Sequence, residues 1–420
     1  MQHLPAQFFL QMAAILVACR VVGWLAKKIG QPQVVGEMIA GVLLGPSLFG
    51  YFYPEASAKL FTQETRGILF IGSQLGVGLY MFRVGMEFST DLFRKRAKSA
   101  ASVSIAGMVV PFLLGAALAP WLLTVPGLFS KAASLHEAAL FLGAAIAITA
   151  FPMLARIIYE RGLSETALGT LALAAGAIDD AAAWCVLAIV LASFDGDPKL
   201  AIVAIVGGTL FAVFMLTLGK MGLAKLGTHA EREGKVSPTL MAVVLTLFCL
   251  SAWFTDIIGI HTVFGGFILG VAMPRGVITR DLIKKLEPFT VIFLLPMFFT
   301  FSGLNTQLKV MMEPSMVFVA VAVLIASMVG KGVACWAAAR LTGEDNRTSL
   351  AIGALMNARG LMELIIINIG LQKGIIEGGL FAVLVIMAIV TTLMASPIFE
   401  AVYGRHARKQ GALEALNTET

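Results

Sequence analysis

Two adjacent aspartates, Asp179 and Asp180, stand inside the apolar run AGAIDDAAAW at 175–184. At the centre of a bilayer an ionisable side chain costs about 2.5–3.5 kcal/mol on insertion scales, so it persists where it faces protein or water and has a job there. Successive helix positions point about 100° apart, so the two carboxylates meet different surroundings. One can take a fixed cationic partner while the other faces a cavity. A carboxylate of the second kind holds a proton or a small cation in turn. That is proton–cation exchange in its simplest form: two ligands competing for one oxygen pair.

Other polar groups fall at the same depth. Lys331, in MVGKGVACW, has a glycine on each side that admits a close neighbour, and it is the natural partner for one aspartate. MNARGLME holds Asn357, Arg359 and Glu363, the last two at the i,i+4 spacing of a helical pair. AITAFPML places Thr149 just before Pro152. A proline inside a helix removes a backbone donor and clashes with the carbonyl four residues back. Carbonyls freed by such a break, together with the Thr149 hydroxyl, are oxygen ligands able to replace an alkali cation's water.

These residues sit in a chain of 420 residues that is 58% hydrophobic and 13% charged, about half the charge of an ordinary soluble domain. Apolar blocks of about 20 residues or more predict an all-α, polytopic membrane protein with 13 transmembrane helices. They run over about 6–26, 33–50, 65–88, 99–125, 135–159, 165–193, 198–224, 237–257, 259–274, 285–303, 313–341, 347–372 and 376–402. Of the 31 basic residues, 21 fall in one set of loops and six in the opposite set; the first set includes Lys27–Lys28, the RKRAK run from Arg94, Lys284–Lys285 and the tail RHARK. The second set includes Lys309. The positive-inside rule then puts the N-terminus outside and the C-terminus in the cytoplasm. The net charge of +6 thus reflects topology, not an acidic or nucleic-acid partner.

Four basic residues, Arg20, Arg83, Lys331 and Arg359, lie within spans. Arg20, Glu37, Arg83 and Glu87, nearer span ends, read equally as packing pairs or snorkelling side chains. The four cysteines at 19, 185, 249 and 335 show no paired spacing and read as small buried hydrophobes. The N-terminal MQHLPAQFFLQ lacks the basic region of a signal peptide and reads as the start of the first span. The chain ends about 18 residues after its last span and carries no glycine-rich phosphate loop. No cofactor and no direct ATP drive are expected.

The two halves echo each other. IAGVLLGPS (39–47) resembles GGFILGVAMP (265–274), and LYMFRVGME (79–87) resembles MFFTFSGLN (297–305). Spans 1–6 and 8–13 then form two inverted six-helix repeats with span 7 as linker, an organisation typical of transporters. The interrupted spans 5 and 12 occupy matching places, which points to an ion site at the midplane.

GQPQVVGEMIAGVLLGPSLFG (30–50), ITAFPMLARIIYERGL (148–163), the IDD of 178–180 and NARGLMELIIINIG (357–370) together resemble the monovalent cation:proton antiporter-2 family over nearly the whole chain. The resemblance implies the sodium/proton antiporter fold, with spans 5 and 12 crossing as broken helices. It implies dimerisation-domain helices in 1–98 and 228–308, core helices in 99–194 and 309–403, a linker helix in 195–227 and a short cytoplasmic tail in 404–420. Asp180 matches the family's essential ion- and proton-binding carboxylate, and Asp179 the one that pairs with a lysine, here Lys331. A double Asp resembles the electrogenic sodium/proton branch.

The reading is a secondary-active Na+(Li+)/H+ antiporter, an elevator-type homodimer in the lipid bilayer and not an enzyme. Asp180 and Thr149 hold the transported Na+, Asp179 with Lys331 carries the coupled proton, and Arg359, Glu363 and Asn357 support the core. K+/H+ exchange is the alternative, because TAFPMLAR and NARGLMEL also resemble plant and cyanobacterial exchangers, some tied to potassium. An intramembrane aspartyl protease needs two Asp on facing helices sharing a proton, whereas here both lie on one helix. A channel is disfavoured by the repeat.

Overall fold

A computed structural model describes the chain except for residues 1–3, 32, 89, 164–165, 196–197, 261, 305–312, 360 and 405–420. Asn305, Lys309, Gly360 and the tail RHARK therefore lie outside the described residues, as do the side chains of Arg94, Pro152, Arg156 and Cys185. Helix follows helix: α1 (Leu4–Lys28), α2 (Gln33–Leu44), α3 (Phe49–Phe52), α4 (Pro54–Leu60), α5 (Gln63–Glu87), α6 (Thr90–Leu122), α7 (Leu135–Ala147), α8 (Phe151–Glu160), α9 (Ala167–Asp195) and α10 (Pro198–Phe214). A π-helical turn at Met215–Gly219 leads into α11 (Lys220–Glu233), α12 (Pro238–Ile257), α13 (Thr262–Ala272) and α14 (Val277–Phe289). A second, Thr290–Leu294, leads into α15 (Leu295–Leu304), α16 (Pro314–Leu341), α17 (Asn346–Leu355), α18 (Leu361–Gln372) and α19 (Gly378–Phe399).

Nine helical stretches among the described residues are long and apolar enough to cross a membrane, and α7 and α13 are shorter apolar helices. The outer faces are built for lipid: Ile202, Leu210, Val213 and Trp253 are all more than half exposed, an arrangement water would penalise. Charge goes inward instead, and Asp179, Asp180, Lys331, Arg359 and Glu363 are all buried. Beyond the span expected at about 198–224, helix continues to Glu233, because the polar stretch that follows still favours helix. One expectation needs correction. Cys19 and Cys335 are buried, but Cys249 is exposed; on an apolar helix a lipid-facing surface suits a thiol as well as a packed interior does.

Close approach of helix pairs depends on glycine at two crossings. Where α2 meets α15, a Cβ on Gly303 would overlap the Gly41 backbone and one on Gly41 would overlap that of Phe299. Where α5 meets α13, Gly85 and Gly270 exclude a Cβ on each other in the same way. The motif at 39–47 thus packs on 297–304, and the one at 79–87 on 265–274. A separate apolar cluster joins α6, α8, α9, α16, α17 and α19 through Val103, Leu154, Leu171, Cys335, Ile352 and Phe399.

Candidate ion-binding site at the crossing of two broken helices

The first break follows α7. That helix opens on a capping box, Ser134 with Glu137, and ends at Ala147. Helix resumes at Phe151, so Pro152 stands in the first turn of α8, where a missing N–H leaves nothing unpaired. The break precedes the proline because the carbonyl that its ring would strike in a continuous helix is that of Ile148. The second break separates α17, whose N-terminus Asp345 caps through the Arg347 and Thr348 N–H groups, from α18. The breaks cross in contact: the Ala150 N–H donates to the Ala358 carbonyl at 3.1 Å.

A half-helix that ends in the interior leaves its last carbonyls unpaired and concentrates negative partial charge there. Here the carbonyls of 145 to 148 are all taken by cations. Arg359 Nη1 donates to Ala145 at 3.1 Å and to Ile148 at 3.3 Å, and Nη2 donates to Ile146. Lys331 Nζ donates to Ala147. Two resident cations thus share the carbonyls that this break frees at 145–148.

Lys331 and Asp179 form a closed network. The ammonium has three N–H groups and meets three acceptors: the Gly107 carbonyl on α6 at 3.0 Å, that of Ala147 on α7, and Asp179 Oδ2 on α9 at 3.2 Å. Asp179 Oδ2 also accepts from the Thr149 hydroxyl at 2.6 Å, and its Oδ1 accepts from Ser104. Asp180, one position on, is 4% exposed. Its Oδ1 has no hydrogen-bond partner among the described residues. The adjacent carboxylates therefore differ sharply, one saturated with donors and one with a bare oxygen. Thr149 is placed on Asp179, with the Met356 carbonyl a longer second acceptor at 3.5 Å.

Arg359 and Glu363 stand 3.6 Å apart, yet the guanidinium's hydrogen bonds go to the α7 carbonyls and to Ser327 Oγ at 2.6 Å. Both Glu363 oxygens are buried without a hydrogen-bond partner among the described residues. Asn357, two residues past the end of α17, donates back to the Gly353 carbonyl of that helix at 2.8 Å. The Thr392 hydroxyl on α19 accepts the Arg359 backbone N–H at 2.9 Å. Farther away, buried Arg83 pairs with Glu87 and Glu287, each at 3.1 Å, which makes it a packing link between α5 and α14; Arg20 is exposed.

Sequence reasoning does not single out Ser104, Ser327 or Thr392. Hydroxyls in apolar helices usually bond a carbonyl of their own preceding turn, so these carry no signal until the partner helix is in place.

The family model for the transmembrane sodium/hydrogen exchanger matches residues 14–402. The chain is 39% identical over 391 residues to the Na(+)/H(+) antiporter NhaS4 of Synechocystis sp., a match covering 93% of this chain and 95% of that protein. It is 32% identical over 428 residues to the K(+)/H(+) antiporter 1 of Saccharomyces cerevisiae, covering 98% of this chain but 48% of the yeast protein. The chain thus spans about half the length of that relative. The solved structure of the sodium proton antiporter MjNhaP1 from Methanocaldococcus jannaschii superposes with a TM-score of 0.65 at 17% identity, covering 99% of this chain and 100% of the other. At that identity the likeness is one of fold.

Proposed function

Because this chain belongs to the transmembrane sodium/hydrogen exchanger family, we propose that it exchanges a monovalent cation for protons across a membrane, most simply Na+ or Li+ for H+. The observation that carries this reading is the contrast between two adjacent carboxylates at the crossing of two broken helices. Asp179 is saturated by Ser104, Thr149 and Lys331, while Asp180 has a buried oxygen with no hydrogen-bond partner among the described residues. Asp180 is the group on which cation and proton alternate. The Asp179–Lys331 pair carries a second proton when an arriving cation draws Asp179 from the ammonium, and Thr149 offers its lone pairs to that cation. One proton lost at each place for one cation taken makes the cycle electrogenic.

The finer architecture belongs to the same proposal. The reading has thirteen spans in two inverted repeats, with the N-terminus outside and the C-terminus in the cytoplasm. Its support is the exchange of packing partners between the halves: 39–47 on 297–304 and 79–87 on 265–274 are mates under one two-fold operation. The apolar cluster drawn from α6, α8, α9, α16, α17 and α19 supports a core body of 99–194 and 309–403. That body moves past a dimerisation body of 1–98 and 228–308 in an elevator-type homodimer.

The test is flux in proteoliposomes. Asp180→Asn is expected to abolish cation-driven proton movement, and full exchange by that variant overturns the assignment. K+/H+ exchange is the second reading, favoured by the yeast relative. Competition between Na+, Li+ and K+ in the same vesicles, with a membrane-potential readout, decides both the ion and the electrogenicity.

A further inference from the structure

The α6 helix touches both members of the buried ion pair, with opposite polarity. Ser104 gives its hydroxyl hydrogen to Asp179 Oδ1, and the Gly107 carbonyl, one turn along, accepts from Lys331 Nζ at 3.0 Å. We propose that Ser104 and the Gly107 carbonyl form a two-point clamp on the Asp179–Lys331 pair, and that Ser104 is a positioning residue for exchange. This rests on the antiport reading of Asp179, Asp180 and Lys331.

The geometry gives the clamp a definite task. Asp179 has two oxygens and three donors. With Ser104 on Oδ1, the carboxylate plane is fixed so that Oδ2 faces Thr149 and Lys331 together. Without it, Oδ1 loses its donor from α6 and the carboxylate is free to turn. A turned carboxylate changes both the reach to Lys331 and the field at Asp180. Ser104 is itself buried, at 1% exposure, so water does not readily replace its hydroxyl. A second contact places α6 at this point of α16, since Cys335 Sγ lies 3.7 Å from the Val103 carbonyl.

The ionisable groups in range of the pair are known by element. Lys331 and Cys335 lie on α16, and Asp180 lies on α9. Arg359 and Glu363, from the second break and α18, act on Lys331. At the clamp itself, α6 and α7 present neutral groups: Ser104, the Gly107 and Ala147 carbonyls, and Thr149 after the α7 end. Ser104 is thus a neutral hydroxyl, on the opposite oxygen of Asp179 from Thr149, that can be altered without changing any charge.

The experiment is a pH profile of exchange in proteoliposomes for the full chain and for Ser104→Ala, Ser104→Thr and Ser104→Val. Thr and Val have nearly the same shape and differ in the hydroxyl, which separates hydrogen bonding from packing. Loss of a hydrogen bond to a charged group is expected to displace the pH of half-maximal exchange by about one unit. Ala and Val should show that displacement, and Thr should stay with the parent. Superposed profiles for all four proteins, or Thr and Val moving together, overturn the clamp. Asp180→Asn runs alongside: exchange by that variant sinks the assignment of the ion site to Asp180, whereas its silence with unmoved Ser104 variants sinks the clamp alone. Melting temperatures in detergent report whether each variant is folded, and a variant that fails to fold leaves the Thr–Val comparison to decide.

Discussion

At the scale of single residues, the pair Asp179–Lys331 is bound to its surroundings more than to itself. Each buried polar atom of the ammonium has its own acceptor, so removing Lys331 leaves a buried carboxylate without its cation and two carbonyls without a donor. Breaking a buried pair from one side costs about 3–5 kcal/mol. Lys331→Met is expected to lower the melting temperature in detergent strongly, and Lys331→Met combined with Asp179→Leu to regain much of the loss. Equal melting of the single and double variants means the two residues are not coupled. Glu363 behaves in the opposite way. Its oxygens have no hydrogen-bond donors among the described residues, and the Arg359 guanidinium, 3.6 Å away, keeps its bonds to Ala145, Ile146, Ile148 and Ser327 without it, so an apolar side chain at 363 leaves no hydrogen-bonding group newly unpaired. Glu363→Met should melt at or above the parent temperature, while Arg359→Met, which bares the carbonyls of Ala145, Ile146 and Ile148, should melt well below it. Asp179, Asp180, Lys331, Arg359 and Glu363 are legible in the sequence because charge is rare in apolar runs. Ser104, Ser327 and Thr392 are not, since one hydroxyl looks like another until helices meet. The i,i+4 spacing of Arg359 and Glu363 pointed to a simple pair, and the carbonyls that occupy the guanidinium came from a break that no local pattern locates in space.

At the scale of elements, the breaks were legible from Pro152 and from the polar cluster around Arg359, but their limits were not. The chain leaves helix at 148–150, upstream of the proline, because the steric conflict falls on the earlier carbonyl. Glycine placement carried more than it first showed. The echo between 39–47 and 265–274 marks related elements, whereas the structure packs each motif on the other half's second motif. Sequence likeness shows which elements correspond and says nothing of which touch. Those crossings make a paired prediction. A methyl forced against backbone costs about 1–3 kcal/mol. Gly303→Ala at the α2–α15 crossing and Gly270→Ala at the α5–α13 crossing should therefore both lower the melting temperature. Gly67→Ala, where a Cβ meets nothing within 4 Å, should leave it in place. If Gly303→Ala and Gly270→Ala melt like the parent, the close crossings are not essential to the packing.

At the scale of the molecule, elevator motion asks that one body slide past another, so some seam must open in every cycle. The turn between α1 and α2 supplies one. Gln31 Nε2 donates to the Leu393 carbonyl on α19 at 3.1 Å. Arg161 donates to the Gly30 carbonyl at 2.8 Å and pairs with Glu400. In the proposed division, Gly30 and Gln31 belong to the dimerisation body, and Arg161, Leu393 and Glu400 to the core. The contacts of this turn are polar, unlike the glycine-mediated crossings within the dimerisation body and unlike the Phe151–Phe267 ring contact elsewhere between the two bodies, so the turn itself can part at little cost. Gln31→Cys with Leu393→Cys, in a chain whose four native cysteines are replaced, allows the seam to be bridged by a short bis-thiosulfonate reagent, which forms a reducible disulfide with each thiol as a sulfinate leaves. Bridging is expected to drive exchange to background and a reductant to restore it. A bridge between Gln7→Cys and Lys59→Cys, which touch within the dimerisation body, should leave exchange intact. Exchange at the parent rate through a fully bridged 31–393 pair means the bodies do not slide at this seam, and the elevator is then the wrong motion for this chain.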